Sequence, residues 1–351
     1  MNTVFITGVQ RSGTTLLSMM LGRHPAIYME ERVISFRLIS AIKNAAELWP
    51  YNLQVDKTDF YRWLVRTDGK GRLAEFLDLD NWPAGASLQD LIRNSVAQHL
   101  TRHQKNVWGD KGPNLQYFIP ELLQLFPDAR FIHIIRDGRA TAHSMSRRAY
   151  QSLRLSAQQW VDGNVQAMVQ QDVLGQEKLL LIRFEDLLSD PEAVLRKVCD
   201  FLEIGFSELM LELQQDIPEE EQYVKSRLQA DKISAYREKL SPARLRALER
   251  IQGPLLQRLG YELLSEPPPR SFQPLSIFQQ VFLNQAGNLR RLFLFRQEGM
   301  SARKKVEIKM SFPRRAHHFL MYLAKDLLSK PLFRRIFQAV FYKEKYYRKD
   351  G

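Results

Sequence analysis

The sequence predicts an α/β fold in three layers, a central parallel sheet flanked by helices, followed by a basic helical extension. Two observations predict the sheet. An apolar run rich in β-branched or aliphatic residues is followed at once by a turn and a helical stretch, and this happens three times before residue 205. The runs are apolar without strict alternation, as strands covered on both faces are. A third observation predicts the extension. Residues 265–351 hold 18 Lys and Arg against 6 Asp and Glu, whereas residues 1–264 hold 33 of each. The net charge of +12 therefore belongs to the end of the 351-residue chain.

The elements follow in order. Val4–Thr7 reads as a buried strand, and Thr14 to Leu21 as a helix stopped by Gly22 and Pro25. Residues 34–104 read as mostly helical, with breaks at Pro50, Asp68–Gly71 and Pro83–Gly85; Trp49, Trp63 and Trp82 fall here as core aromatics. The second unit has a helix over Ile119–Phe126, a Pro127-Asp128 turn, a strand over Arg130–Ile135, a turn at Asp137-Gly138 and a helix carrying Ser144. In the third, strand Leu179–Ile182 precedes a helix capped by Asp190 with Pro191 in its first turn. Three prolines in "SEPPPR" make a stiff connector. The domains are set at 1–265 and 266–351.

The first turn, "GVQRSGTT", carries the chemistry. Gly8-x-x-x-x-Gly13 with Thr15 follows the phosphate-loop spacing of nucleotide-binding proteins, but Thr14 stands where that pattern has lysine. Backbone N–H groups at a helix N-terminus bind anions whatever the side chains do. Arg11 projects from inside the loop, and the strand Phe131–Ile135 ends in Arg136 where a metal-binding aspartate would serve an NTPase. A ligand with anionic groups at two places, without magnesium, suits these residues better than ATP. Arg136 and Ser144, eight residues apart at a strand end and on the next helix, could close on one phosphate group.

"GVQRSGTTLL", "GDKGPNLQYFIPELLQLFPDARFIHIIRDGRATAHS" and "IRFEDLLSDPEAVLRKVCDFL" resemble the PAPS-dependent sulfotransferases. Within that family they resemble the branch of bacterial carbohydrate enzymes and protein-tyrosine sulfotransferases, over roughly residues 3–262. The resemblance implies a P-loop-like fold and the donor 3′-phosphoadenosine 5′-phosphosulfate, PAPS, with no metal. It implies that Gln10, Arg11, Ser12, Gly13, Thr14 and Thr15 hold the 5′-phosphosulfate, and that Arg136 and Ser144 hold the 3′-phosphate. Sulfuryl transfer needs a base for the acceptor proton and cations for the sulfuryl and leaving oxygens. The resemblance assigns Lys111 and Arg11 to the second need. Read without it, Lys111 is a lysine in a loop before a helix. For the base the resemblance points to Glu30 or Glu31 in "HPAIYMEERVI": anchoring on "RVI" favours Glu30, and distance from His24 favours Glu31.

The chain departs from the family pattern in three places. Phe184 replaces a common tyrosine, Ala235-Tyr236 replaces a common Lys-Trp pair with Lys232 or Arg237 as substitutes, and Gln10 replaces proline. None touches Arg11, Lys111, Arg136 or Ser144.

Composition bounds the rest. Cys199 alone excludes an intramolecular disulfide and reads as a core residue. No signal-peptide pattern opens the sequence, and no tail run approaches the ~18 apolar residues of a membrane span. The expected location is cytoplasmic, peripheral at the inner membrane face. His99 and His103 are spaced as a metal pair but read as a solvated face, and "PEEEQ" at 218–222 reads as an acidic turn. In the extension, helical spacing gathers Phe319, Leu320, Leu323 and Leu327 on one face amid basic residues. That suits packing on the body, a homodimer or a membrane surface, and no nucleic-acid module is visible. The expected acceptor is a hydroxyl of a glycan or glycolipid, with a protein tyrosine as the alternative. A P-loop kinase and a non-catalytic membrane-surface protein are the rival classes.

Overall fold

A computed structural model describes residues 2–30, 35, 38–39, 72–77, 87–148, 151–212, 234, 236–267, 271–276 and 278–284. Five parallel strands form one sheet: β1 (Asn2–Gly8), β2 (Ile27–Met29), β3 (Val107–Pro113), β4 (Arg130–Ile135) and β5 (Leu179–Arg183). Their order is β2-β3-β1-β4-β5. The chain leaves β1 toward one edge and β4 toward the other, so the order reverses between these neighbours. In open α/β sheets, ligands bind outside the C-terminal strand ends at such a switch point.

The chain divides into two compact units, Met1–Arg136 with Ala167–Ser234, and Asp137–Gln166 with Ala235–Gly351. The first contains the sheet. Alternation along β1 sends Phe5 to one face and Val4 and Ile6 to the other. On the Phe5 face it meets Trp108 and Phe131 under α2 (Arg72–Phe76), α3 (Leu88–His103) and α4 (Ile119–Leu125), through Phe76, Ile92, Val96 and Leu122. The opposite face packs on α1 (Thr14–Gly22), through Leu17 and Leu21. Beyond it lie α7 (Phe184–Ser189) and α8 (Pro191–Leu202), through Leu187, Leu195 and Val198. Both faces of the sheet are covered, as continuous apolar strands require. Cys199 is buried in the second cluster. In the second unit, α5 (Gly138–Arg148) and α9 (Pro242–Arg258) accompany the first part of α6 (Leu153–Leu174).

Local chemistry explains several boundaries. Asp190 accepts from Ala193 N–H at 3.0 Å and Pro191 sits at the first position of α8, as the sequence predicts. Ser87 and Asp90 form a reciprocal capping box at the start of α3. The His24 ring has a defined tautomer: Ala26 N–H donates to Nδ1 at 3.0 Å, so Nε2–H donates to Gly205 O at 2.7 Å. His24 thus ties the turn after α1 to the turn after α8.

Three expectations are corrected. The strands β2 and β3 were not legible, and Lys111 lies on β3, not in a loop. "VWGDKGP" has weak strand propensity, but β3 is flanked by β2 and β1, whose ladders satisfy its backbone. Gly138 opens α5 instead of sitting in a turn; a Cβ there would come within 2.8 Å of Gln252 and Trp160, so the close packing requires glycine. His99 is buried, not solvated: its ring stacks on Phe76 at 4.9 Å and on Tyr28 at 5.8 Å, while exposed His103 covers Tyr28 at 4.4 Å. Trp49, Trp63, Trp82, the 218–222 turn and the Phe319–Leu327 stripe lie outside the described residues.

Candidate active site at the strand ends

Residues Val9–Gly13 leave β1 and return as the N-terminus of α1. The turn is tight. Arg11 has φ +73° and Gly13 has φ +111°, and Ser12 N–H donates to Val9 O at 3.1 Å. A side chain at Gly13 would also collide with the Phe184 ring, so glycine is required there twice over. No side chain caps α1, and its first turn holds no acidic residue. Its first N–H groups therefore face the strand ends without a capping carboxylate or hydroxyl. Ser12 is fully buried in the loop, and its Oγ has no hydrogen-bond partner among the described residues. Gln10 is exposed, Thr14 is buried, and Thr15 is half-buried on α1.

The lysine missing from the loop arrives from another strand. Ile6 of β1 lies opposite Lys111 of β3, and Lys111 Nζ donates to Thr15 Oγ1 at 2.8 Å. An ammonium thus stands at the N-terminus of α1, where a phosphate loop keeps its own. Two further contacts brace the floor: Thr7 Oγ1–H donates to Gln116 Oε1 at 2.6 Å, and Asn114 N–H donates to Gly8 O at 2.8 Å.

Arg136 leaves β4 beside the same loop. Its guanidinium lies 4.7 Å from the Phe184 ring centroid, and Nη1 donates to Arg11 O at 3.4 Å. The departure at Phe184 keeps an aromatic face under the arginine and loses only the hydroxyl. Ser144 is half-buried on α5 in the second unit.

Glu30 directly follows β2 and is 1% exposed; its N–H donates to Gly109 O at 2.7 Å. Beside it lies Asp110, which the sequence reading missed. Burial pushes the Asp110 carboxyl up to about 7, against the pull of donors from Ser35 and Lys111, and the Glu30 charge adds to the rise. "GDK" offered a signal only once Lys111 was placed on a strand. Glu31, Lys232 and Ala235 lie outside the described residues, and Arg237 is exposed. Among the described residues, no group of three or more His, Cys, Asp or Glu could hold a metal ion, and no helix is long and apolar enough to cross a membrane.

The sulfotransferase family profile matches residues 3–208. Protein-tyrosine sulfotransferase A of Caenorhabditis elegans is 27% identical over 294 residues, 76% of this chain and 68% of that protein. Protein-tyrosine sulfotransferase 1 of Danio rerio is 27% identical over 286 residues, 76% of this chain and 74% of that protein. The sulfotransferase domain of the Synechococcus PCC 7002 olefin synthase superposes with a TM-score of 0.50 at 21% identity, covering 75% of this chain and 96% of that one, a likeness of fold. The chain belongs to the sulfotransferase family, and it is a PAPS-dependent sulfotransferase.

Proposed function

We propose that this enzyme transfers the sulfuryl group of PAPS to a tyrosyl hydroxyl of a peptide or protein, with Glu30 as base and Lys111 and Arg11 as the stabilising cations. The observation that carries the site is the 2.8 Å contact of Lys111 Nζ with Thr15 Oγ1 at the uncapped start of α1. The loop suits a phosphosulfate: backbone donors, an orphaned Ser12 Oγ, an ammonium and an arginine converge without a carboxylate in the first helical turn. Gln10, Arg11, Ser12, Gly13, Thr14 and Thr15 would hold it, with Arg136 and Ser144 for the 3′-phosphate. Arg136 supports that role by its fixed seat on Phe184; for Ser144 the motif is the support.

PAPS supplies an activated sulfuryl group. In the transfer, Glu30 takes the acceptor proton as the acceptor oxygen bonds to sulfur and the bond from sulfur to the phosphate oxygen breaks. Lys111 and Arg11 offset the charge on the sulfuryl oxygens and on the phosphate oxygen that departs with the bonding pair. The burial of Glu30 keeps bulk water from the base.

The tyrosyl acceptor is supported by the similarity to protein-tyrosine sulfotransferases over 76% of this chain. It takes precedence over the glycan or glycolipid expected from sequence. The test is to offer the full chain PAPS with tyrosine peptides, oligosaccharides and glycolipids, and to find which gains the mass of one SO3. Sulfation of sugars alone would overturn the tyrosyl reading. Glu30→Gln should lower the transfer rate by about 10²–10⁴. For the donor, calorimetry should show metal-independent preference for 3′-phosphoadenosine 5′-phosphate, PAP, over ADP, lost in Arg136→Ala.

We further propose that the extension attaches the enzyme to an anionic membrane surface. Residues 278–284 are helical, and Phe278 and Phe282, one turn apart, are 88% and 72% exposed within residues 265–351, which hold 18 basic residues. Phe278→Ser with Phe282→Ser should weaken flotation with phosphatidylserine vesicles. Equal flotation of the variant, or none of the wild type, would exclude this seat.

A further inference from the structure

We propose that Asp110 is a positioning residue, which fastens the segment carrying Glu30 to the strand carrying Lys111 and so sets base and cation in one register. This rests on the roles given above to Glu30 and Lys111. Ser35 N–H donates to Asp110 Oδ2 at 2.7 Å, Ser35 Oγ–H donates to the same oxygen, and Lys111 N–H donates to Oδ1 at 2.7 Å. The carboxylate therefore spans two pieces of chain. One oxygen holds the segment five residues past Glu30, and the other holds the backbone of Lys111.

The geometry calls for a carboxylate in particular. Donors approach both oxygens, and an asparagine would turn its NH2 toward one of them. These donors are neutral, and Asp110 is fully buried, an arrangement that costs stability because among the described residues the desolvated charge meets hydrogen-bond donors but no cation. A purely structural tie could be made from uncharged groups at lower cost. Among the described residues, the charged group facing Asp110 is Glu30, from the segment after β2; Phe5, its neighbour on β1, is uncharged, and the Lys111 ammonium is engaged at Thr15.

The test compares wild type, Glu30→Gln, Asp110→Asn, Ser35→Ala and Ser35→Thr in the full chain. Each is measured for kcat and KM with PAPS and the best acceptor, and for PAP binding by calorimetry. Asp110→Asn should lower kcat by about 10²-fold, the scale of a misplaced catalytic group, with PAP affinity unchanged. The KM for the acceptor should change little, so that the loss falls on kcat rather than on binding. Ser35→Ala should lower kcat in the same direction by a smaller factor, and Ser35→Thr should restore it. A wild-type kcat in Asp110→Asn, or a lower one with PAP affinity lost in parallel, overturns the proposal. If Asp110→Asn does not fold, the serine pair decides: wild-type kcat in Ser35→Ala overturns it equally. An active Glu30→Gln would remove the base and this proposal together, whereas an inactive Glu30→Gln beside a normal Asp110→Asn removes the positioning role alone.

Discussion

In the second unit, Arg139 is enclosed by carboxylates that match it. Its Nη2 donates to Asp137 Oδ2 at 2.7 Å and its Nη1 to Glu249 Oε1 at 2.7 Å and Glu262 O at 2.7 Å. Leu264 N–H donates to the same Glu249 Oε1 and Ser265 N–H to its Oε2, and Tyr236 Oη–H donates to Asp137 at 2.8 Å. Burial pulls Asp137 upward, but its hydrogen bonds and ion pair with Arg139 win and hold it below the ordinary range. In the first unit, Asp110, midway along β3 beside the end of β2, has neutral donors and a second carboxylate for company, and it is pushed up to about 7. Both aspartates are buried. One is paired with a cation and stays ionised; the other, among the described residues, is not. Matched charge serves architecture here, and the unmatched charge lies beside the proposed base.

The largest test of this contrast is Arg139→Ala. It leaves Asp137 and Glu249 buried without their cation and should cost about 3–5 kcal/mol of stability, read from urea unfolding. A loss below about 1 kcal/mol would mean that water or a neighbour replaces the guanidinium. Lys111→Ala should do the reverse. The transfer rate should fall by about 10²–10³ while the melting temperature barely moves. Activity near wild type would remove Lys111 from the chemistry.

The pH dependence of stability sharpens the comparison at intermediate cost. Asp110 is raised in the folded chain, to about 7, above its unfolded value near 3.9. Its contribution is therefore fully present below the unfolded value and is lost as pH rises through the folded one. Between pH 5.5 and 8.5, wild type should lose on the order of 2 kcal/mol relative to Asp110→Asn. Melting curves of both proteins at the two pH values measure it, and parallel curves would show that Asp110 does not titrate there. Asp190→Ala supplies the smallest effect: deleting an exposed helix cap should cost about 1 kcal/mol, with transfer unchanged.

Much of the fold was legible because local signals agreed with it. β1, β4, β5 and the Asp190 cap follow from apolar runs, turn residues and capping chemistry that act within a few positions. The loop Gln10–Thr15 was legible for the same reason, since its glycine spacing is a local demand of backbone geometry. β2 and β3 were not, because "VWGDKGP" becomes a strand only through its neighbours' ladders. The stacking that buries His99 depends on Tyr28 and Phe76, far away in sequence.

By itself, then, the sequence determined the class of sheet, the glycine-spaced turn after β1 and the family of reaction, because short-range patterns specify them. Only the tertiary structure decided that β3 returns to the loop the lysine it lacks, and that Ser35, Asp110 and Lys111 join in one hydrogen-bonded group. The physical reason is that a buried charge takes its character from what surrounds it in space. Those surroundings are assembled from strands whose order along the chain differs from their order in the sheet.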